Sequence, residues 1–323
     1  MNQVNKSSSA SSLLYIDDLS AENLDYLLKT AALFKKEFYK TGSIIHCINP
    51  EQTKGMVVQL LFAEPSTRTR ASFEVACGKL GIVTTSLWNL HFSSMAKGET
   101  LEDTFQCLIA LKPNMIVCRC GELKAIEAFL HSSSIPVISA GMGTKEHPTQ
   151  ALVDAFTIQE KRGKVEGEKV LIVGDVLHSR VANSNLRLLT RLGAQLGMCT
   201  PEALSPVDKQ AWKDVIRFSS LEEGIKWADV IMCLRVQRER HSLRNIGFSM
   251  AEYRDNYRID QENMQMFRSD GILLHPGPAV RGVEIANQAL NDSRCHIITQ
   301  VENGTHVRSA IISLMLNLEI KPL

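Results

Sequence analysis

Residues 56–74 read MVVQLLFAEPSTRTRASFE, and this stretch decides the fold. Its first seven residues, 56–62, form a short apolar run, which is typical of a strand buried on both faces of a parallel sheet. A turn follows, and a helix is predicted from about residue 67 to residue 80. A strand that leads directly into a helix is the repeating unit of α/β proteins, so we expect an α/β fold.

The same alternation continues along the chain. An amphipathic helix is predicted after the N-cap candidate Ser20. Further strands are predicted at 84–87, 115–118, 136–139, 169–173, 195–199, 230–234 and 272–274, and further helices at about 148–161, 179–192, 221–227 and 305–318. We therefore expect two doubly wound α/β domains, each with a mostly parallel sheet flanked by helices. The expected domains are residues 1–148 and 149–302, and a C-terminal helix of about 303–323 packs back onto the first.

Composition bounds the possible functions. The 323 residues suffice for two ordinary domains, and 44% of them are hydrophobic, which is enough for two cores. A formal net charge of +1 argues against a nucleic-acid binder that relies on bulk positive charge. No apolar stretch approaches the ~20 residues that a membrane helix needs. The eight scattered cysteines indicate reduced, mostly buried thiols in a cytoplasmic protein.

The turn after the first predicted strand contains groups that bind anions. A helix start presents unpaired backbone N–H groups and the positive end of the helix dipole. Hydroxyl side chains and an arginine in the same turn would complete a cradle for a phosphate; these are Ser66, Thr67, Arg68 and Thr69. For Ser66 alone, an ordinary helix cap is the simpler interpretation.

The STRTR sequence at 66–70 resembles the carbamoyl-phosphate loop of the aspartate and ornithine carbamoyltransferase family. Further segments match the family in the same order: SSMAKGET at 93–100, Arg119, HPTQ at 147–150, Arg180, RVQ at 235–237 and HPGP at 275–278. The similarity extends over about residues 14–318. It implies transfer of a carbamoyl group from carbamoyl phosphate to an amino acid, with no metal or organic cofactor.

The resemblance also implies roles for individual residues. Those implied to be catalytic are Thr69, Lys97, Arg119 and His147. Those implied to bind carbamoyl phosphate are Ser66, Thr67, Arg68, Thr69, Ser93, Arg119, His147 and Gln150, with the backbone carbonyls of Pro276 and Gly277. The donors on the carbonyl oxygen, Thr69, Arg119 and His147, would stabilise the charge that this oxygen gains during attack.

The second substrate is predicted to be aspartate. Arg180 and Arg235 follow predicted strands at their carboxyl ends, where open parallel sheets bind ligands. Two arginines suit two carboxylates, whereas ornithine has one carboxylate and a cationic side chain. The resemblance implies that Lys97, Arg180, Arg235 and Gln237 bind aspartate. The ornithine branch would be expected to have His-Cys-Leu-Pro where this chain has HPGP at 275–278.

The resemblance further implies a homotrimer in which the loop with Ser93 and Lys97 crosses into the neighbouring subunit's site. For Lys97 alone, a solvated loop lysine is the simpler interpretation. The RGVEI sequence at 281–285 resembles a bacterial group that works beside dihydroorotase or its homologue. Association with these proteins or with a regulatory chain stays open. So do three alternatives: transfer to ornithine or another amino acid, an inactive scaffold that retains the fold, and a nucleotide-binding α/β enzyme. The last lacks support because no G-x-G-x-x-G motif or Walker lysine follows a strand.

Overall fold

A computed structural model describes residues 12–88, 94–121, 134–143, 145–237 and 248–321. The chain divides into two compact units. The first is formed by Met1–Val153 with Val301–Leu323, and the second by Asp154–Gln300. The division falls inside the helices Pro148–Arg162 and Ile297–Met315. The boundary expected after residue 148 lies at the start of the first of these helices.

Helices and strands alternate in the first unit. The Ser20 hydroxyl caps its first helix by accepting a hydrogen bond from Asn23 N at 3.1 Å. The helices of the unit are α1 (Ala21–Thr41), α2 (Pro50–Thr53), α3 (Thr67–Lys79), α4 (Leu101–Ala110) and the beginning of α5 (Pro148–Arg162). The strands are β1 (Val57–Phe62), β2 (Val83–Trp88), β3 (Met115–Arg119) and β4 (Val137–Ser139), and 3-10 turns lie at Ile16–Asp18, Ile45–Cys47 and Ser94–Lys97.

The four strands of the first unit form a parallel sheet in the order β2-β1-β3-β4. The chain runs from β1 to β2 on one side and then crosses to β3 on the other side. The carboxyl ends of β1 and β3 therefore form a topological switch point, where open α/β sheets bind their ligands. Phe62 pairs with Arg119 at this end of the sheet.

The second unit repeats this organisation. Its helices are the remainder of α5, then α6 (Arg180–Arg191), α7 (Leu221–Trp227), α8 (Met250–Tyr257), α9 (Gln261–Met266), α10 (Asn287–Leu290) and the start of α11 (Ile297–Met315). Its strands are β5 (Lys169–Val173), β6 (Gln195–Cys199), β7 (Ile216–Arg217), β8 (Val230–Cys233) and β9 (Ile272–Leu274), with a 3-10 turn at Glu202–Leu204. The sheet is parallel, in the order β7-β6-β5-β8-β9. Its switch point lies between β5 and β8.

The predicted fold class is confirmed, and the differences from the predicted elements have local causes. α11 begins at Ile297, whereas the apolar pattern predicts a start near residue 305. Its early turns bury the polar Asn303 and expose Ile298 to 79%, so their sequence lacks the usual apolar stripe. α8 was not predicted, although its capping box, in which Ser249 and Glu252 cap each other's backbone, is a recognisable start signal.

The described α-helices are 4 to 21 residues long. Within that part of the chain, no helix has the length and the apolar character that a membrane span requires.

Candidate active site

The turn between β1 and α3 leaves polar groups at the start of a helix. Ser66 is the N-cap residue of α3, yet its side chain makes no capping hydrogen bond to the described first turn. The serines that precede other described helices do accept such a bond; they are Ser20, Ser179, Ser220 and Ser249. The first turn of α3, which lies wholly within the described residues, contains no acidic side chain. Its N–H groups and dipole therefore suit an anion.

The two arginines of this turn have different surroundings. Arg68 is exposed, as is Thr67, whereas Thr69 is buried. The Arg70 guanidinium lies 4.3 Å from the centre of the Trp88 ring, and its Nε lies 3.9 Å from a carboxylate oxygen of Glu74. Arg70 therefore packs against the edge strand β2, while Arg68 faces outward from the helix start.

Arg119 ends β3 at the same switch point. Its Nη1 donates to the Ala140 carbonyl at 3.2 Å, and its Nε lies 3.5 Å from Glu64 Oε2. Backbone bonds align the neighbouring segments, since Ala63 N donates to the Arg119 carbonyl at 2.8 Å and Gly143 N donates to the Cys120 carbonyl at 3.2 Å. The structure thus brings together the β1–α3 turn, Arg119 and the glycine-containing segment that leads to His147.

Cys120 differs in its environment from the arginine beside it. The side chains of residues 118 and 120 share one face of the strand end, and both belong to an apolar core cluster. A hydrogen bond with Cys120, together with burial, raises the pKa of the Cys118 thiol well above its usual range. Cys120 is therefore a core residue, and Arg119, one position before it, lies on the opposite face of the strand end.

His147 and Gln150 are placed by the start of α5. The His147 carbonyl accepts hydrogen bonds from Gln150 N at 3.0 Å and Ala151 N at 3.2 Å, which makes it the first carbonyl of the helix. Its ring is buried, with Nδ1 3.4 Å from the Thr149 hydroxyl. Just before it, the buried Glu146 carboxylate accepts from Ile16 N at 3.0 Å and anchors the segment. The backbone at His147 is therefore fixed, and its imidazole is buried beside the Thr149 hydroxyl.

The loop after β2 is only partly described. Ser93 lies outside the described residues, so its predicted role is not tested. Lys97 ends the 3-10 turn Ser94–Lys97 and is exposed. Within the described part of the chain, its ammonium makes no hydrogen bond or ion pair with another residue. No described hydrogen bond or ion pair therefore joins Lys97 to the β1–α3 turn.

In the second unit, the carboxyl end of β5 presents a buried carboxylate. Gly174 has a φ of +113°, and Asp175 follows it with no exposed surface. The Asp175 carboxylate accepts hydrogen bonds from His178 N at 3.1 Å and from Gln237 N at 3.0 Å. The Gln237 side chain in turn donates to the His178 carbonyl at 2.7 Å. These bonds join the segments after β5 and β8, the two strands of the switch point.

The two predicted aspartate-binding arginines flank these bonds. Arg180 is the first residue of α6 and is buried, and Ser179 caps the helix by accepting from Ala182 N at 3.1 Å. Arg235 is half-buried and lies on the segment after β8. The structure therefore places Arg235 and Gln237 in one segment that is bonded to the segment preceding Arg180.

A second buried carboxylate, Glu284, holds the Arg235 segment from the other side. One of its oxygens accepts from Val236 N at 3.1 Å and the other from Val280 N at 2.7 Å. Burial raises the pKa of Glu284 above its ordinary value, while these backbone bonds and the charge of Arg235 act in the opposite direction. Glu284, Asp175 and His178 were not predicted as site residues. An acid directly after a strand and a glycine is the signal that could have drawn attention to Asp175.

Pro276 and Gly277 follow β9, in the same unit as Arg180. The buried His275 fixes this segment, since its N–H donates to Gln300 Oε1 at 2.8 Å and its Nδ1 accepts from Gly277 N at 2.8 Å. Gly277 has a φ of +77°, which favours glycine. Both residues are half-buried, and the hydrogen bond from Gly277 N to His275 Nδ1 holds the backbone that would present their carbonyls.

Both units match family models. Residues 11–160 match "Aspartate/ornithine carbamoyltransferase, carbamoyl-P binding domain", and residues 166–315 match "Aspartate/ornithine carbamoyltransferase, Asp/Orn binding domain". The chain belongs to the aspartate/ornithine carbamoyltransferase family.

Individual relatives extend this result. The aspartate carbamoyltransferase catalytic subunit of Desulfitobacterium hafniense is 41% identical, over 94% of this chain and 95% of its own length. The aspartate transcarbamoylase of Trypanosoma cruzi, solved with carbamoyl aspartate and phosphate, is 28% identical with a TM-score of 0.83, over 94% of this chain and 95% of that one. Ornithine carbamoyltransferase from Pyrococcus furiosus is also 28% identical, with a TM-score of 0.82, over 98% of this chain and all of that one. The backbone alone therefore does not separate the two branches.

Proposed function

We propose that this chain transfers the carbamoyl group of carbamoyl phosphate to the amino group of L-aspartate. The products are N-carbamoyl-L-aspartate and phosphate, and the reaction is an early step of de novo pyrimidine biosynthesis. One observation carries the proposal: the chain has two switch points with different chemistry. The hydroxyl-rich helix start of the first unit suits a phosphate, and the arginines of the second suit a dicarboxylate.

The first unit is assigned carbamoyl phosphate. Its phosphate group would bind the first turn of α3, where the Ser66 side chain does not cap the helix and Arg68 faces outward. The carbonyl oxygen would bind Thr69, Arg119 and His147. The hydrogen bond from Arg119 to the Ala140 carbonyl and the burial of His147 support this assignment, because donors that are held in place before the reaction stabilise developing charge most effectively. Ser93 is assigned to the same ligand by family resemblance alone.

The carbamoyl amide would be recognised by acceptors. The Gln150 side chain and the backbone carbonyls of Pro276 and Gly277 are assigned to its NH₂ group. Carbonyl oxygens favour an amide over a carboxylate, because a buried acceptor needs a donor. Carbamoyl phosphate would bind first. The amine of aspartate would then attack the carbonyl carbon, the C–O bond to phosphate would break, and the departing phosphate would take the proton.

The second unit is assigned aspartate rather than ornithine. Arg180 and Arg235 would bind the two carboxylates, and Gln237 would bind beside them. A cationic side chain such as that of ornithine would be repelled by these arginines. The relative with 41% identity is an aspartate carbamoyltransferase, which agrees with this assignment. Lys97 is assigned to the same substrate, by family resemblance.

We also propose that the active protein is a homotrimer that shares its sites between subunits. In a parallel sheet, strands are usually covered on both faces. The edge strand β2 is incompletely covered among the described residues, since Val83 is 59% exposed and Trp88 is 55% exposed. A second copy of the chain would cover this edge. Lys97 lies a few residues beyond β2, so the same contact would carry its loop towards the neighbouring subunit.

The cysteines support a cytoplasmic location. All eight are free thiols, and six of them are buried: Cys47, Cys77, Cys118, Cys120, Cys199 and Cys233. Burial raises the pKa of Cys77 to about 12, so this thiol stays protonated and unreactive. A reducing compartment suits such a protein.

The proposal is tested by an assay of carbamoyl transfer with L-aspartate and L-ornithine side by side. We expect turnover with aspartate and negligible turnover with ornithine. Arg68→Ala should lower turnover by about 10²–10³-fold, as loss of one transition-state donor typically does, with the unfolding midpoint unchanged. Arg70→Ala is the matched control, because Arg70 packs on Trp88. Preference for ornithine, or near-normal turnover of Arg68→Ala, would contradict the proposal.

The shared site is tested by mixing two inactive variants, Lys97→Ala and His147→Ala. After dissociation and reassembly, some sites would combine an intact His147 with an intact Lys97 from the other parent, so activity should return. Sites built within single chains would recover nothing, because every chain carries one defect. If mass analysis confirms mixed trimers and activity stays at background, sharing is excluded.

A further inference from the structure

The segment between β5 and α6 contains an aspartate–histidine pair that has no assigned role in the reaction. His178 Nδ1 lies 2.9 Å from Asp175 Oδ1 and 3.2 Å from Oδ2. Asp175 is fully buried, and the His178 side chain is 19% exposed. Contact with a carboxylate places the Nδ1 proton between the two groups, so the imidazole acts as a donor to Asp175.

The same carboxylate holds the segment after β8. Asp175 Oδ2 accepts from Gln237 N at 3.0 Å, and the Gln237 side chain donates to the His178 carbonyl at 2.7 Å. Asp175, His178 and Gln237 thus form a closed ring of hydrogen bonds. The ring connects the carboxyl ends of the two strands that define the switch point of the second unit.

The position of the ring relates it to substrate binding. Arg180 follows His178 by two residues, and Arg235 precedes Gln237 by two residues. The ring therefore ties together the two backbone segments that carry these arginines. A buried carboxylate that loses one of its donors must seek another, because no bulk water replaces the lost bond. The backbone groups bonded to Asp175 would shift as it does so.

We propose that His178 is a positioning residue for the amino-acid substrate. By donating to Asp175, it fixes the carboxylate that orients Gln237 and, through the same segment, Arg235. His178 acts through these residues and makes no contact with the substrate in this role. The inference rests on the proposed function, since it assumes that Arg180, Arg235 and Gln237 bind aspartate.

A purely structural role for the pair makes a different prediction. If the ring only stabilised the turn, its loss would lower the unfolding midpoint and leave the kinetic constants of the folded protein unchanged. A positioning role predicts a selective effect on aspartate. The two roles are therefore separated by comparing KM for aspartate, KM for carbamoyl phosphate and kcat in the same folded variant.

The test uses the full-length protein with His178→Ala and His178→Asn. Asparagine attaches its amide nitrogen to Cγ, as histidine attaches Nδ1, so it can still donate to Asp175. We expect His178→Ala to raise KM for aspartate by about tenfold or more, which corresponds to about 1.4 kcal/mol. KM for carbamoyl phosphate should stay within about twofold, and His178→Asn should restore most of the aspartate affinity.

His46→Ala is the matched control. His46 also contacts a buried carboxylate, with its Nε2 3.3 Å from Glu37 Oε2, but it belongs to the first unit and to neither assigned substrate. Its loss should leave KM for aspartate unchanged. Should His178→Ala not fold, His178→Asn and His178→Gln decide, because the glutamine amide nitrogen extends to the position of Nε2 instead of Nδ1. If His178→Gln raises KM for aspartate and His178→Asn does not, the inference is supported. Equal KM values for these two variants overturn it.

Failure of this inference can be told apart from failure of the proposed function. If the wild-type protein does not carbamoylate aspartate, the proposed function is wrong, and this inference is overturned with it. If the wild-type protein does so and His178→Ala keeps its KM for aspartate, only the positioning role is wrong.

Discussion

Gly174 joins β5 to Asp175 at a backbone angle that side chains rarely adopt, so alanine at this position should damage both the fold and the aspartate half of the site. Its φ is +113°. A Cβ atom added to Gly174 would lie 2.7 Å from the Leu234 carbonyl oxygen and 2.8 Å from the Tyr253 hydroxyl. Both distances are shorter than ordinary contacts, so Gly174→Ala requires some neighbouring group to move.

The cost of this substitution has two parts. A backbone angle in a sparsely populated region costs about 1–3 kcal/mol, and inserting an extra carbon into a packed core costs about a further 1–3 kcal/mol. The Leu234 carbonyl cannot withdraw easily, because Leu234 N donates to the Val173 carbonyl at 2.8 Å and the following Val236 N is held by Glu284. We therefore expect a loss of about 2–6 kcal/mol in the free energy of unfolding.

Urea denaturation of Gly174→Ala and Gly163→Ala measures the steric part. Gly163 also has a positive φ, +80°, but a Cβ added there meets no atom within 4 Å. Its substitution should cost only the backbone term, about 1–3 kcal/mol. Adding Tyr253→Phe to Gly174→Ala removes one of the two close contacts and should recover part of the loss. Equal losses for the two glycines would refute this reasoning.

Two further predictions concern buried polar groups beside the Arg235 segment. Tyr253→Phe alone should raise the free energy of unfolding by about 1 kcal/mol, because its hydroxyl is buried and has no hydrogen-bond partner among the described residues; a clear fall in urea denaturation would contradict this. Burial raises the pKa of Glu284. As the pH falls, protonation of this carboxylate should weaken the hydrogen bond that it accepts from Val236 N and raise KM for aspartate by up to about tenfold. The folded state favours the protonated form, so the contribution of Glu284 to stability is largest at low pH and is lost as the pH rises through the raised pKa. Glu284→Gln should flatten the pH profile of KM, and an unchanged profile would exclude Glu284 as its cause.

The parts of the fold that local sequence determines could be predicted. Residues 56–62 form a strand because they are almost continuously apolar, and β1 spans Val57–Phe62. The following helix was expected from about residue 67 to residue 80, and α3 spans Thr67–Lys79. Strand order within a sheet depends on contacts distant in sequence, and the sequence pattern alone predicts only that the sheets are parallel.

The exposure of the side chains of β2 could not be predicted from its sequence. Its apolar and hydroxyl residues are typical of a strand, and the structure has a strand there. The exposure of Val83 and Trp88 depends on what covers an edge strand, which the residues of that strand do not encode. Likewise, the sequence shows that Lys97 lies in a polar loop, but the group that this lysine meets depends on the assembly.

The residues that sequence analysis singled out differ in kind from those it missed. Arg180 and Arg235 were predicted because a ligand with two carboxylates suits two arginines at strand ends, and Gln237 was predicted from the family resemblance. Asp175 and Glu284 accept hydrogen bonds from backbone N–H groups. Every residue except proline carries such a group, so the sequence does not show which backbone N–H donates to a buried carboxylate. The arginines of the second unit lie at the start of a helix and on a loop, and loops need such acceptors to hold one conformation. An arginine that is to bind a substrate from a loop therefore needs buried acceptors elsewhere in the chain, and only the folded structure can show which residues these are.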